Sequence, residues 1–241
     1  MAVESIDIPT IKDKLYEKLK PSGWADILKT FMFSQDMDNI LKKLYKESSG
    51  GFRFTPPLKQ TFRVFEECPW KNLRIVFLGQ DPYPQIGVAD GMAFSCSNTG
   101  KSELALTNIF QQINETVTPP HLKVDNPAPD LSRWARQGIL LLNSSLSTRI
   151  GEIGSHYEIW KPFINFVISE ISCRNWAGMI FVFFGKKAEE FSDLIDSNHY
   201  KFFVPHPCSS RFNYTNKWDC KNIFNEINDL LNCDFENKIT W

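Results

Sequence analysis

Three positions in this chain of 241 residues join a chemically active side chain to an unusual setting. Asp81 sits in Gly79-Gln80-Asp81-Pro82-Tyr83-Pro84, Asn143 closes an apolar run and leads into Ser144-Ser145, and His206 stands between Pro205 and Pro207. A carboxylate accepts protons and opposes positive charge, a side-chain amide reads a donor and acceptor pattern, and an imidazole can donate or accept near neutral pH. Each also has an ordinary role open to it. Asp81 before a proline can start a turn, Asn143 can cap or close a loop, and His206 can be a hydrogen-bonded loop histidine. Their shared setting separates them from chance. Each follows a short apolar, β-rich run, at 74–78, 139–142 and 200–204, and a fourth such run lies at 179–184.

Between these runs the apolar residues recur at helical spacing. Leu106, Ile109, Phe110, Ile113 and Val117 make one stripe. Trp160, Phe163, Ile164, Val167, Ile168 and Ile171 make another, with Pro162 expected in its first turn, and Ile223, Phe224, Ile227, Leu230 and Leu231 make a third. Ile40, Leu41 and Leu44 mark a further helix within 36–48. Strands alternating with helices predict a single α/β domain, with a central, mostly parallel four-stranded sheet flanked by helices on both faces. Ligands of such sheets bind beyond the carboxyl ends of the strands, so the acid, the amide and the imidazole should meet on one sheet edge. Residues 1–20, polar and lysine-rich, read as an N-terminal extension carrying a loosely attached helix; 21–241 form the domain.

Composition narrows the class. Hydrophobic residues make up 42% and aromatic residues 14%, ample for a core. A net charge of −1 gives no sign of a nucleic-acid partner, so any basic groove must be local. Cys68, Cys96, Cys173, Cys208, Cys220 and Cys233 form no CxxC pair and match neither a zinc nor an iron–sulfur framework, so they read as reduced thiols. No apolar stretch is long enough to span a membrane, and no signal peptide is visible. The expected location is cytoplasmic, or nuclear in a eukaryote.

Longer stretches around the same residues resemble a known family. "VFLGQDPYPQIGVADGMAFS" (76–95) resembles the water-activating loop of family-1 uracil-DNA glycosylases, "LSRWARQGILLLNSSLSTR" (131–149) the segment ending in their uracil-reading asparagine, and His206-Pro207 the start of their minor-groove loop. The resemblance covers roughly residues 22–241 and extends to the closing "ITW". It implies that Asp81 activates water and opposes the sugar cation, and that His206 donates to uracil O2. Gln80 would offer backbone contacts, Tyr83 would exclude a 5-methyl group, Phe94 would stack on the flipped base, and Asn143 would bond O4 and N3. Such chemistry passes through an oxocarbenium-like sugar and a uracil anion, and calls for no metal or other cofactor.

Three departures qualify the resemblance. Pro84 stands where the family commonly has histidine, and it can donate from neither side chain nor backbone. "GKSELAL" (100–106) replaces a proline- and serine-rich phosphate loop, placing Ala105 where a serine is expected and leaving Lys101 or Ser102 to compensate. The family's intercalating leucine falls at Ser210, so the wedge is either missing or supplied by Arg211, Phe212 or Tyr214, with Phe212 favoured by size. DNA contacts are thus expected at Pro84, Ser102, Ser210, Arg211 and Phe212, with Lys101, Arg149 and Lys217 as further cations. The alternatives are a catalytically weak or inactive relative serving as a DNA-binding or replication-associated module, and a glycosylase for another base. Expected partners are single- or double-stranded uracil-DNA, with protein inhibitors or replication proteins conceivable; a monomer is expected.

Overall fold

Five-residue, largely apolar strands form the centre of the molecule, in a computed structural model that describes residues 6–174, 178–212, 217–231 and 237–241. The helices are α1 (Ile8–Leu19), α2 (Trp24–Met32), α3 (Gln35–Ser49), α4 (Arg63–Glu67), α5 (Leu104–Thr116), α6 (Ser132–Arg136), α7 (Tyr157–Arg174), α8 (Lys186–Glu189) and α9 (Ile223–Leu230). The strands are β1 (Phe54–Thr55), β2 (Ile75–Gly79), β3 (Ile139–Asn143), β4 (Thr148–Arg149), β5 (Ile180–Phe184) and β6 (Tyr200–Val204). Four of them make a parallel sheet in the order β3-β2-β5-β6. Every residue of β2, β3 and β5 is buried, as expected of strands covered on both faces. Edge strand β6 is more exposed, with Tyr200 and Phe203 partly in solvent.

Aromatic side chains pack against one another in two parts of the core. On one side Phe77 stacks on Trp241 and meets Trp134 of α6 edge-on, while Phe224 of α9 also packs on Trp241. Elsewhere in the core Phe163 of α7 meets Phe31 of α2, Phe65 of α4 and Phe62 just before α4 in edge-to-face pairs.

Three details differ from the sequence reading. The first helix is not loosely attached: Ile8 and Leu19 are buried, Lys12 pairs with Asp38 of α3 at 2.5 Å, and Lys18 with Glu66 of α4 at 2.8 Å. Helix α7 begins at Tyr157, which puts Pro162 inside the helix rather than in its first turn. The carbonyl robbed of its bond belongs to exposed Glu158, where water can serve it. A small antiparallel pair, β1 with β4, lies outside the main sheet and has no counterpart in the sequence pattern, because two-residue strands carry no period.

Candidate active site

The parallel register sets Gly79 directly beside Asn143 at the carboxyl ends of β2 and β3. The Ser144 N–H and hydroxyl both donate to the Gly79 carbonyl, at 2.9 and 2.8 Å, pinning the two strand ends together. A Cβ at Gly79 would lie 2.7 Å from Asn143 Oδ1 and 3.3 Å from Phe94 Cζ, so only glycine lets the amide and the ring share this corner. Asn143 is 7% exposed, and among the described residues its side-chain amide makes no hydrogen bond. Neither polar atom of that amide is sealed from solvent without a partner, so it is open to water or to a ligand.

Phe94 reaches the site through a contorted loop. Its φ is +66°, a left-handed conformation that bulky residues rarely hold. Buried Asp90 organises the turn by accepting from the Met92 and Ser97 amides and the Ser95 hydroxyl, and it pairs with Arg63 at 2.8 Å. The Ala93 N–H donates to the Leu141 carbonyl, tying the loop to β3. The Tyr83 hydroxyl donates to the Phe94 carbonyl at 3.0 Å, so the two aromatic residues hold each other in place.

A cavity of about 350 Å³ opens at these strand ends, lined by Gln80, Asp81, Tyr83, Pro84, Phe94 and His206, with Ala105 in its wall. Asn143 stands beside this cavity, behind Gly79 and Phe94, and not in its lining. Both Asp81 carboxylate oxygens are buried without a hydrogen-bond partner among the described residues. Burial pushes the Asp81 carboxyl up to about 6; the Gln80 side chain, the Gly154 amide and the Lys187 charge draw it partly back, none through a bond of ordinary geometry.

His206 is held from behind. The Cys208 N–H donates to His206 Nδ1 at 3.2 Å, the Trp218 indole N–H to the Pro205 carbonyl at 2.8 Å, and the Asn108 amide to the Pro207 carbonyl at 2.8 Å. Gly185, at the end of β5, lets the His206 Cβ approach closely. Burial pulls the imidazole below its ordinary value, favouring the neutral ring.

The other expected contacts fare differently. Ser102 lies just before α5 and outside the cavity lining. The backbone of Ser210, Arg211 and Phe212 belongs to a helical turn, Pro207–Phe212, but their side chains, and Tyr214 altogether, lie outside the described residues. Arg149 is not an open cation: its guanidinium pairs with Glu47 and Glu152 and covers the Phe52 ring at 4.2 Å. Lys217 pairs with Glu115, whereas the Lys101 side chain is exposed and unpaired among the described residues. Sequence reasoning missed Gly79, Asp90, Asn108 and Trp218. Only Gly79 left a signal, a glycine closing a wholly apolar strand. Among the described residues, no cluster of three or more His, Cys, Asp or Glu side chains could hold a metal, and no helix is long and apolar enough to cross a membrane.

The family model for the uracil DNA glycosylase superfamily matches residues 65–232, a span that contains every lining residue named above. The chain belongs to that superfamily. Uracil-DNA glycosylase 1 of Bacteroides fragilis is 33% identical over 91% of this chain and 97% of its own length. The uracil-DNA glycosylase of Borrelia hermsii is 37% identical over 77% of this chain and 82% of its own. Among solved structures, mimivirus uracil-DNA glycosylase superposes with a TM-score of 0.80 at 24% identity, covering 94% of this chain and 88% of that one; that likeness speaks to the fold. In this member of the uracil DNA glycosylase superfamily, α1 to α3 precede the span of the family model yet pack into the same core.

Proposed function

We propose that the chain hydrolyses the N-glycosidic bond of deoxyuridine flipped out of DNA, leaving an abasic site for base excision repair, in the manner of family-1 enzymes. The observation that carries this reading is the pairing, in one aromatic-walled cavity, of an unbonded carboxylate (Asp81) with an imidazole whose Nδ1 is already occupied (His206).

The chemistry follows from those groups. As the bond between the base and C1′ breaks, its electron pair goes to uracil and positive charge grows on the sugar. Ionised Asp81 opposes that charge and takes a proton from the water that adds to C1′. With Nδ1 accepting from Cys208, the proton of neutral His206 sits on Nε2 and is available to the uracil O2, where negative charge gathers. Phe94 stacks on the base, Tyr83 closes the space a thymine methyl would need, Asn143 reads O4 and N3, and the Gln80 backbone completes the pocket. Family membership and the names of the relatives support uracil as the base. Pro84, Ser102, Ser210, Arg211 and Phe212 remain the proposed DNA contacts. Action as a monomer in the cytoplasm or nucleus, open to protein inhibitors or replication proteins, completes the reading.

An oligonucleotide carrying one uracil, scored for abasic sites, tests it, with Asp81→Asn and His206→Ala as controls. The expected result is abasic product from wild-type protein and a steep loss in both variants. No product at high protein concentration would sink the enzyme; product from thymine or modified cytosine would change the base.

A further inference from the structure

Glu47, near the end of α3 and outside the cavity lining, holds two residues that bracket one loop. Its Oε1 accepts from Arg149 Nη2 at 2.8 Å, and its Oε2 accepts from Arg149 Nε at 2.9 Å and from His156 Nε2 at 2.8 Å. The donor order beyond His156 is dictated by chemistry. The Trp160 indole N–H can only donate, and it does so to Ser147 Oγ at 2.8 Å. The carboxylate can only accept, so His156 donates from Nε2, and in the neutral ring Nδ1 then accepts the Ser147 hydroxyl proton at 2.8 Å. Burial favours the neutral ring that this order requires. Carboxylate, imidazole and serine in sequence suggest a nucleophile. Here Ser147 and His156 are wholly buried and Ser147 Oγ is already occupied, so the chain of bonds is structural.

Between Arg149 and His156 runs the segment 150–155, and it meets the site at three places. The Gly151 N–H donates to the Pro84 carbonyl at 3.0 Å. Ile153, 66% exposed, lines the cavity mouth. The Gly154 amide lies near enough to Asp81 to favour its ionised form. Within the segment, the Arg149 N–H donates to Ser155 Oγ at 2.8 Å and the Thr148 hydroxyl to the Glu152 carbonyl at 2.7 Å. These bonds tie both ends of the segment, and with them the position of Ile153 at the cavity mouth.

We propose that Glu47 is a positioning residue: by gripping Arg149 and His156 together it fixes segment 150–155, setting the Gly151 N–H on the Pro84 carbonyl of the Asp81 loop and Ile153 at the cavity mouth. This rests on the function proposed above and assigns to α3 a part in it. Glu47 touches neither the cavity nor the reacting atoms.

The test is Glu47→Gln, which keeps the shape and one acceptor but gives up the charge and the two-pronged grip on Arg149. Amide hydrogen exchange in 150–155 should quicken, and kcat on uracil-DNA should fall ~10-fold with KM nearly constant, because misplacement near the reacting atoms acts on the transition state. The acid limb of kcat should move to higher pH as the Gly154 amide drifts from Asp81. Lys187 of α8 and Tyr157 of α7, which act on Asp81 through their charge, and Tyr83, Glu103, His206 and Cys208 of the cavity lining are unchanged in this variant. Wild-type exchange in 150–155, or faster exchange with kcat and the acid limb unmoved, would overturn the proposal, as would an activity loss that merely follows a lower Tm. Should Glu47→Gln not fold, Arg149→Lys, which keeps the charge and leaves the His156 bond intact, must show the same three changes in smaller measure; wild-type values in it are equally fatal. An inactive wild-type protein overturns the function itself, a failure visible before any variant is assayed.

Discussion

The Cys208 backbone N–H points at His206 Nδ1, 3.2 Å away, and so decides which ring nitrogen of the neutral imidazole carries the proton. Nδ1 must accept, and the hydrogen is left on Nε2. Because burial holds the ring below its ordinary pKa, nitrogen-detected NMR should show the neutral Nε2–H tautomer at pH 7. His206→Ala should lower kcat on the order of 10²–10³-fold, the usual cost of losing one donor to a developing anion. An imidazolium at pH 7, or a loss confined to KM, would remove His206 from that role.

Asp81 predicts a pH dependence of both rate and stability. With its carboxyl pushed up to about 6, kcat/KM should climb through an acid limb centred near that pH, and Asp81→Asn should abolish the limb while lowering the rate on the order of 10²–10⁴-fold. The stability effect runs the other way. Between 3.8 and about 6 the folded state keeps a proton that the unfolded chain has released, so this group lowers stability as pH rises through that window, and the full cost persists above it. Asp81→Asn carries no such cost and should be more stable than wild type at pH 7.5 by ~1–3 kcal/mol, the gap closing towards pH 4. Thermal melts across that range check it; a variant less stable at every pH would contradict the burial of the charge.

Gly79→Ala tests the corner shared by three residues. A methyl group 2.7 Å from Asn143 Oδ1 and 3.3 Å from Phe94 Cζ must move one of them. The expected cost in stability is ~1–3 kcal/mol, with weaker inhibition by free uracil as the main functional change. Unaltered uracil inhibition in a folded variant would show that the corner can give without disturbing base recognition.

The wedge is best tested on the substrate. Phe212→Ala should reduce activity on duplex uracil-DNA more than on single strands, since an apolar side chain is needed only where a stack must be filled. Equal losses on both would remove Phe212 from that role. A protein with no wedge at all should prefer single strands, so a marked duplex preference in wild type would argue that some side chain fills the gap.

Local pattern was enough to find the strands, the main helices and the polar residues at the strand ends. Alternation of apolar runs and helical stripes requires a parallel sheet, and a parallel sheet gathers strand termini on one edge. The strand-end setting of Asp81, Asn143 and His206 is therefore legible in the sequence, whereas the lining of the cavity, which takes in Asp81 and His206 but not Asn143, is not. The small strands at 54–55 and 148–149 were not, nor was the anchoring of α1, because two-residue strands and single buried ion pairs leave no period to read.

What the sequence by itself determined is chemistry: which side chains are present, which of them follow strands, and which family they resemble. Tertiary structure alone decided how those groups are poised. Asp81 loses its solvent only when the loops close over it, Phe94 is bent into the left-handed region only because Asp90 and Tyr83 grip its loop, and the tautomer of His206 depends on an amide two residues on. Gly79, which opens the chain's most distinctive motif, draws its meaning from Asn143, a neighbour brought beside it by the register of two parallel strands. Desolvation, strain and contact are properties of the packed chain, and no spacing along it encodes them.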